Sequence, residues 1–441
     1  MVEKKPLKKR DLYLRKLIAF QDTESVKVIS GIRRCGKSSL LKLMQAHLAQ
    51  EGVQPSQILE MNFESYKFRS MDEAGFYHYV QERIDPEVHT YLFFDEVQRV
   101  PGWENAVNAF RVDFDCDIYV TGSNAYMLSS EYATYLSGRC IEIRMLPLSF
   151  KEFLYFHGFT LEEKPDAFGN VKKLVVKDGQ SYGVQEAFEA YMCFGGMPGI
   201  ADIGLDQEKA MMLLEGIYST VTVRDILERE SRQNRHKVSN PTLLRKIVMF
   251  LADNIGSSVS VSSIGNILAS EGLLAEGRKG KPSAATVQSY VNALLESYFF
   301  YDIKRFDIKG KKYLRTLGKY YIVDIGLRNY LLGFRDRDTG RMLENVVCFE
   351  LLRRGFDVAI GKAGNSEIDF VASRPERKLY VQVTASMNNE AVRQRELAPL
   401  AAVKDNYEKI ILSMDPGLET SYDGIQVINV VDWLLEDKQE I

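Results

Sequence analysis

The sequence predicts an α/β fold divided into several domains, and three observations carry that prediction. A strand-like run, a glycine-spaced loop and a helix-like run follow one another between residues 26 and 44. Three helical periodicities and two strands around a basic turn fill residues 241 to about 330. From residue 340 onward, helix and strand patterns alternate. With 441 residues the chain exceeds one ordinary core, so two or three domains are expected. A composition of 45% hydrophobic and 27% charged residues with net charge -3 is that of a soluble globular protein. The five cysteines, Cys35, Cys116, Cys140, Cys193 and Cys348, are scattered and odd in number. They give no disulfide framework and fit a reducing cytoplasm. Neither they nor the five histidines show metal-ligand spacing, which argues against structural zinc. The N-terminus "MVEKKPLKKR" is basic, but no stretch approaches 18 uncharged apolar residues, so neither secretion nor a membrane span is expected.

The loop reads "SGIRRCGKSS" at residues 30 to 39, a complete P-loop spacing. Gly31 and Gly36 let the backbone curl with its amides inward, and Ile32, Arg33, Arg34, Cys35 and Ser39 complete the cradle around a diphosphate. Lys37 is expected to reach the β and γ phosphates, and Ser38 to complete the shell of a magnesium ion. Val26, Val28 and Ile29 suit a buried strand before the loop; Leu40, Leu41, Leu43 and Met44 suit one helix face after it. Cys35 is read as a filler of the loop, not a redox switch.

Hydrolysis also needs a carboxylate near the metal and a group that acts on water. "YLFFDEVQRV" at 91 to 100 is an apolar strand ending in Asp95, expected to hold the metal's hydration shell, and Glu96, expected to polarise the attacking water. "DIYVTGSNAY" at 117 to 126 is a second such strand, from which Thr121, Ser123 or Asn124 would face the γ phosphate; Asn124 is favoured, and helix capping is the alternative. "LSGRCIEIRMLPLSF" at 136 to 150 adds Arg139, expected at the carboxyl edge of the sheet. There it would meet phosphate of its own or a neighbouring subunit, the alternative being a solvated helix-end charge.

These elements, with the phrases "GIRRCGKSS", "FDE", "TGSNA", "LSGR", "PLSFKEFL" and "FGGMPGI", resemble the AAA-type ATPases. More narrowly they resemble the family of bacterial and archaeal ATPases that carry a C-terminal domain of unknown function, over nearly the whole chain. The resemblance implies ATP and Mg2+ as cofactors and makes Arg139 a candidate for completing a neighbour's site in a homo-oligomer. "GGMPG" and "TVTVRDILERES" look like the helical lid, where Arg224 would sense phosphate or form a surface salt bridge. The polar interval 159 to 183 is expected to be a loop or short hairpin.

A boundary near 238 follows from the linker "RQNRHKVSN". The expected domains are therefore 1–238, the AAA-type ATPase domain with its lid; 239–335, a winged helix; and 336–441. In the winged helix, Ser283, Thr286, Gln288 and Ser289 mark the exposed start of the third, groove-reading helix. Lys304, Arg305, Lys309, Lys311, Lys312, Arg315 and Lys319 give its hairpin a basic excess suited to DNA phosphates, to the guarding of an exposed strand edge, or to neither if the module packs against protein. The last domain looks like the restriction-endonuclease-like fold, in which a helix acid, a strand Asp and a Glu-x-Lys strand surround magnesium. Glu344, Asp369 and Glu367 are the acids here, but the decisive strand reads Gln382-Val383-Thr384. Lys378 could swing inward as a substitute, and Glu350 is read as a solvated helix acid. A degenerate binding or assembly domain without nuclease activity is expected. The function expected is an ATP-binding protein and Mg-dependent ATP hydrolase that couples nucleotide state to DNA or protein binding. An ATP-controlled nuclease and a nucleotide-gated scaffold with little turnover are the alternatives.

Overall fold

The computed structural model describes residues 6–123, 138–165, 171–228, 238–270, 282–310, 312–364, 366–416 and 420–436. It divides into two compact units. One is Met1–Leu146 with Glu296–Tyr298; the other is Pro147–Leu295 with Phe299–Ile441.

The first unit is built on five parallel strands: β1 (Val26–Ser30), β2 (Ile58–Asn62), β3 (Thr90–Asp95), β4 (Cys116–Gly122) and β5 (Cys140–Arg144). Their order across the sheet is β2-β3-β4-β1-β5. β1 and β3 are buried along their whole length, as central strands covered on both faces require. The helices Glu73–Gln81 and Trp103–Asp113 cover one face, where Phe76 meets Phe63, Phe94 and Phe110 edge-on at 4.8 to 5.1 Å between ring centres. Toward the amino end of the sheet, Lys27 and Asp117 form an ion pair with side chains only 0% and 1% exposed. The Asp117 carboxylate also accepts from the Tyr119 hydroxyl at 2.7 Å and the Asp22 amide at 2.9 Å. Parallel strands place every strand's carboxyl end, and the loops that follow, on one edge, so the topology collects the P-loop, Asp95 and Thr121 there.

In the second unit, β6 (Thr160–Pro165), β7 (Val171–Lys177) and β8 (Gln180–Gly183) form a three-stranded antiparallel sheet, one strand more than a hairpin. The helices Val184–Phe194, Ile200–Ile203 and Gln207–Ser219 follow and continue into a π-helical stretch, Thr220–Glu228. The three helices expected of the middle region are present as Pro241–Asp253, Val261–Ser270 and Ala284–Glu296. The hairpin β9 (Phe300–Asp307) and β10 (Lys312–Ile322) also forms. It does not stand apart. It continues into β11 (Asp357–Ala363), β12 (Ser366–Arg374), β13 (Arg377–Thr384), β14 (Glu408–Ser413), β15 (Thr420–Tyr422) and β16 (Ile425–Asn429) as one eight-stranded sheet, ordered β10-β9-β11-β12-β13-β14-β16-β15. β9 meets β11 in parallel, with Arg305 opposite Ile360. A strand edge left by the hairpin finds its hydrogen-bond partners there, so residues on both sides of the expected division at 335 share a sheet.

The compact units also group residues 147 to 238 with the later chain, not with the first 146 residues. A buried polar knot explains this. Asp324, 4% exposed, accepts from the Gly196 amide at 2.6 Å and from the Leu327 amide at 3.1 Å. Asn329 donates to the carbonyls of Met192 and Cys193, both at 2.9 Å. Gly326 stands so close that an added Cβ would lie 2.2 Å from the Phe194 carbonyl oxygen.

Burial pushes the Asp324 carboxyl up to about 6, against the opposing hydrogen bonds from backbone amides. Between 3.8 and 6 the folded chain keeps a proton that the unfolded chain has released, so this group's contribution is largest at acid pH and falls as pH rises through 6. The fall amounts to about 3 kcal/mol. Asp324→Asn, which has no such proton, should therefore narrow the loss of stability between about pH 4.5 and about pH 7.5, read from urea unfolding midpoints. A wild-type-to-variant difference constant across that range would refute this.

Candidate nucleotide site

Three left-handed residues shape the loop after β1: Gly31 at φ 138°, Arg34 at 64° and Gly36 at 108°. Such a sequence turns successive amides toward one hollow. At Gly31 a Cβ would sit 2.2 Å from the Met145 carbonyl oxygen, so only glycine lets the chain after β5 pass. Ile32 and Cys35 face the interior, while Arg34, Ser38 and Ser39 are exposed. Burial raises the Cys35 thiol above its ordinary range, in keeping with a packing role. Arg10 braces the loop from below, donating to the carbonyls of Cys35 at 3.2 Å and Leu146 at 3.0 Å.

Lys37 opens the helix Lys37–Gln50, and its ammonium turns back to donate to the carbonyls of Gly31 at 2.9 Å and Ile32 at 3.2 Å. Ser38 Oγ donates to Asp95 Oδ1 at 3.0 Å. Asp95 also accepts from Thr121 Oγ1 at 2.5 Å and from Asn62 Nδ2 at 2.9 Å. Burial pushes the Asp95 carboxyl above its usual range, and the hydroxyls of Thr121 and Ser38 partly offset it. A hydroxyl and a carboxylate side by side, with the carboxylate short of positive charge, fit a magnesium ion bound with phosphate oxygens. Glu96, itself left-handed at φ 57°, donates its amide to Thr121 Oγ1 at 2.9 Å. Its Oε2 accepts from Gln98 Nε2 at 2.6 Å and Ser123 Oγ at 3.3 Å, and stands 3.8 Å from Arg33 Nη1. Arg33 is shared with Glu64.

Ser123 and Thr121 thus lie with the two acids, and Asn124 lies outside the described residues, as does the side chain of Arg224. Arg139 requires a correction. β5 runs parallel to β1 with Cys140 opposite Val26 and Arg144 opposite Ser30, so the residue before β5 belongs to the amino edge. The Arg139 carbonyl accepts from Val26 N at 2.9 Å, and its guanidinium donates to Asn108. The P-loop begins a full strand away, roughly 16 Å, beyond the reach of this side chain for a phosphate on its own chain. The arginine at the carboxyl end of β5 is Arg144, 2.9 Å from Glu142. Sequence reasoning also missed Asn62, whose signal was an apolar strand, "ILEMN", ending in a polar residue like the other two.

Glu344 of the helix Thr339–Arg353 and Glu367 and Asp369 of β12 do converge, but on Lys319 of β10. Gln382 is committed elsewhere: its Oε1 accepts from the Asp369 amide at 3.3 Å and its Nε2 donates to Glu396 at 2.8 Å. Thr384 donates to the Ser386 carbonyl. Lys378 lies about 5 Å from the ring centres of Phe306, Tyr380 and Tyr407, at the far end of β13. Glu350 is not solvated but 4% exposed, bonded to Arg353 at 2.5 Å and Arg354 at 2.8 Å. Among the described residues no group of three His, Cys, Asp or Glu is placed to hold a metal ion, and no helix is long and apolar enough to cross a membrane.

Fold and site together define a P-loop protein of the AAA class, and comparison with known proteins agrees. Residues 23–154 match the AAA domain family, and residues 185–338 match a domain of unknown function, DUF8612. An uncharacterized protein of Haemophilus influenzae is 40% identical over 97% of this chain and 98% of its own length. The uncharacterized protein MJ1544 of Methanocaldococcus jannaschii is 30% identical over 89% of this chain and 83% of its own. Among solved structures, the Walker-type ATPase paby2304 of Pyrococcus abyssi aligns over 73% of this chain and 95% of its own with 16% identity and a TM-score of 0.45. The chain belongs to the family of these bacterial and archaeal relatives, which join an AAA-type ATPase domain to an uncharacterized C-terminal region. That kinship supports nucleotide binding and ATPase activity in general terms.

Proposed function

We propose that this protein is a cytoplasmic, magnesium-dependent ATP hydrolase that couples its nucleotide state to binding of DNA or of a protein partner. The convergence of Lys37, Ser38, Asp95 and Glu96 at one sheet edge carries the reading. Bound ATP would supply the transferable phosphoryl group, and its magnesium the charge that neutralises it. The amides of residues 31 to 38 hold the phosphates, and the Lys37 ammonium exchanges carbonyl oxygens for phosphate oxygens. Ser38 and Asp95 would hold the ion, with Asn62 and Thr121 fixing the carboxylate's orientation. Glu96 accepts a proton from the attacking water, and Ser123 and Gln98 aim its carboxylate. Arg139, on the amino edge, serves only a neighbouring subunit in a homo-oligomer.

The middle helices and hairpin, which we read as a winged helix, are the proposed DNA contact. Ser283 Oγ accepts from the Thr286 amide at 3.0 Å, capping the third helix, while Gln288 reaches Asn292. Burial takes Lys319 out of the basic set, Lys304 is paired with Asp302, and Arg305 lies 3.7 Å from Glu367. Lys309 is exposed, and the side chains of Lys311, Lys312 and Arg315 lie outside the described residues.

Phosphate release by purified protein, with and without duplex DNA, single-stranded DNA and candidate protein partners, tests the coupling. Neutralising Lys309, Lys311 and Lys312 together should weaken DNA binding several-fold across unrelated sequences and flatten its salt dependence, leaving ATP affinity unchanged. No binding of wild type to DNA at low salt by fluorescence anisotropy, in either nucleotide state, would assign the module to protein packing.

A further inference from the structure

The carboxylates gathered between the helix Thr339–Arg353 and β12 hold a cation that belongs to the chain. Lys319 is 4% exposed, and its ammonium lies 3.1 Å from Glu344 Oε1 and 2.9 Å from Glu367 Oε1. A register irregularity in β10 between Leu314 and Lys319 accompanies its inward placement. Tyr321, two residues on and facing the same way, donates its hydroxyl to Glu344 Oε1 at 2.5 Å. Asp369 fixes one oxygen on the Val383 amide at 2.8 Å. The loop after helix Pro241–Asp253 closes over the group, since a Cβ on Gly256 would lie 3.0 Å from Glu344 Oε2. Burial pushes the lysine's pKa down, but Glu344, Asp369 and Glu367 more than reverse this and hold it charged. Burial and the Glu344 charge raise the Asp369 carboxyl, and the ammonium works against them.

A restriction-endonuclease-like centre would need a divalent ion among these acids, and the residues present do not fit one. The strand acid is an amide, Gln382, tied to Glu396, and the strand lysine is Thr384. The space between helix acid and strand acids already carries a fixed positive charge.

We propose that the Lys319 ammonium is the resident cation of this centre, taking the place of a metal ion and sealing the carboxylates into a cluster that binds no divalent cation. One lysine thereby ties the hairpin to the helix Thr339–Arg353 and to β12. It makes the degenerate centre a joint instead of a catalyst. This inference is independent of the ATPase reading.

Mn2+ titration of nucleotide-free full-length protein, followed by calorimetry and by the electron paramagnetic resonance signal of free Mn2+, tests it. Wild type and Asp369→Asn should bind Mn2+ alike, because any metal taken up at the P-loop is common to both. Lys319→Ala should gain one further site, at least about tenfold tighter than any nonspecific binding, and Lys319→Ala with Asp369→Asn should lose it again. An Asp369-dependent Mn2+ site in wild type overturns the proposal. So does a folded Lys319→Ala that gains none. If Lys319→Ala melts early, millimolar Mn2+ should raise its melting temperature by more than that of wild type, and an equal rise in both likewise overturns the proposal.

Discussion

Lys37→Ala should weaken ATP binding by at least about a hundredfold, whereas Glu96→Gln should bind ATP with near wild-type affinity and turn it over at least about a hundred times more slowly. The two substitutions separate cradle from chemistry. The Lys37 ammonium is aimed inside the loop, resting on the carbonyls of Gly31 and Ile32. Removing it takes away charge that meets phosphate in the ground state as much as in the transition state, so affinity falls first. Glu96 touches Gln98, Ser123 and Arg33, none of which the substitution removes, and an amide keeps the shape of the carboxylate. What it loses is a base, so turnover falls while binding persists. Equilibrium binding and phosphate release measure both. Equal affinity and turnover in wild type and the two variants would defeat the ATPase assignment.

Asp117→Ala should destabilise the first unit by about 3–5 kcal/mol, because it strands the Lys27 charge where no solvent reaches it. Tyr119 and the Asp22 amide lose their acceptor at the same time. Burial already holds the Lys27 pKa below its usual value, with Asp117 opposing that shift. Without Asp117 the folded lysine releases its proton more readily than the unfolded one. The unfolded chain then binds more protons, so the variant should regain stability as pH rises toward about 10. A second variant with Lys27→Met added should recover the part of the loss that is due to charge at neutral pH, since no ion is then left unpaired, while the Tyr119 hydroxyl and the Asp22 amide still lack their acceptor. Chemical unfolding of the three proteins decides the matter. Equal losses in single and double variants would mean that packing, and not charge, is at stake.

What could be read from the sequence was whatever lies close together along it. The phosphate cradle is made by residues 31 to 38, so its spacing was visible at once, as were the strand ends carrying Asp95 and Thr121. Asn62 could be recognised only after the sheet order placed β2 beside β3. Arg139 was assigned to the wrong edge because a helix-strand junction does not announce which way its strand runs; the parallel register does. Lys319 shows the same limit in another form. Its charge is plain in a basic run, but the acids that enclose it come from residues 344, 367 and 369, so it read as a surface cation while the fold buries it. The helices and strands of residues 241 to 322 were legible from local periodicity, and the partner of β9 was not.

That partnership sets an order of events during synthesis. β9 and β10 leave the ribosome first, and β11, which closes the free side of β9, follows about 35 residues after the end of β10, some 2–7 s at ordinary elongation rates. For that interval the nascent hairpin is a template missing its next strand, open to whichever extended segment arrives first. Lys304 and Lys309, on and just beyond β9, are charges that discourage a wrong match.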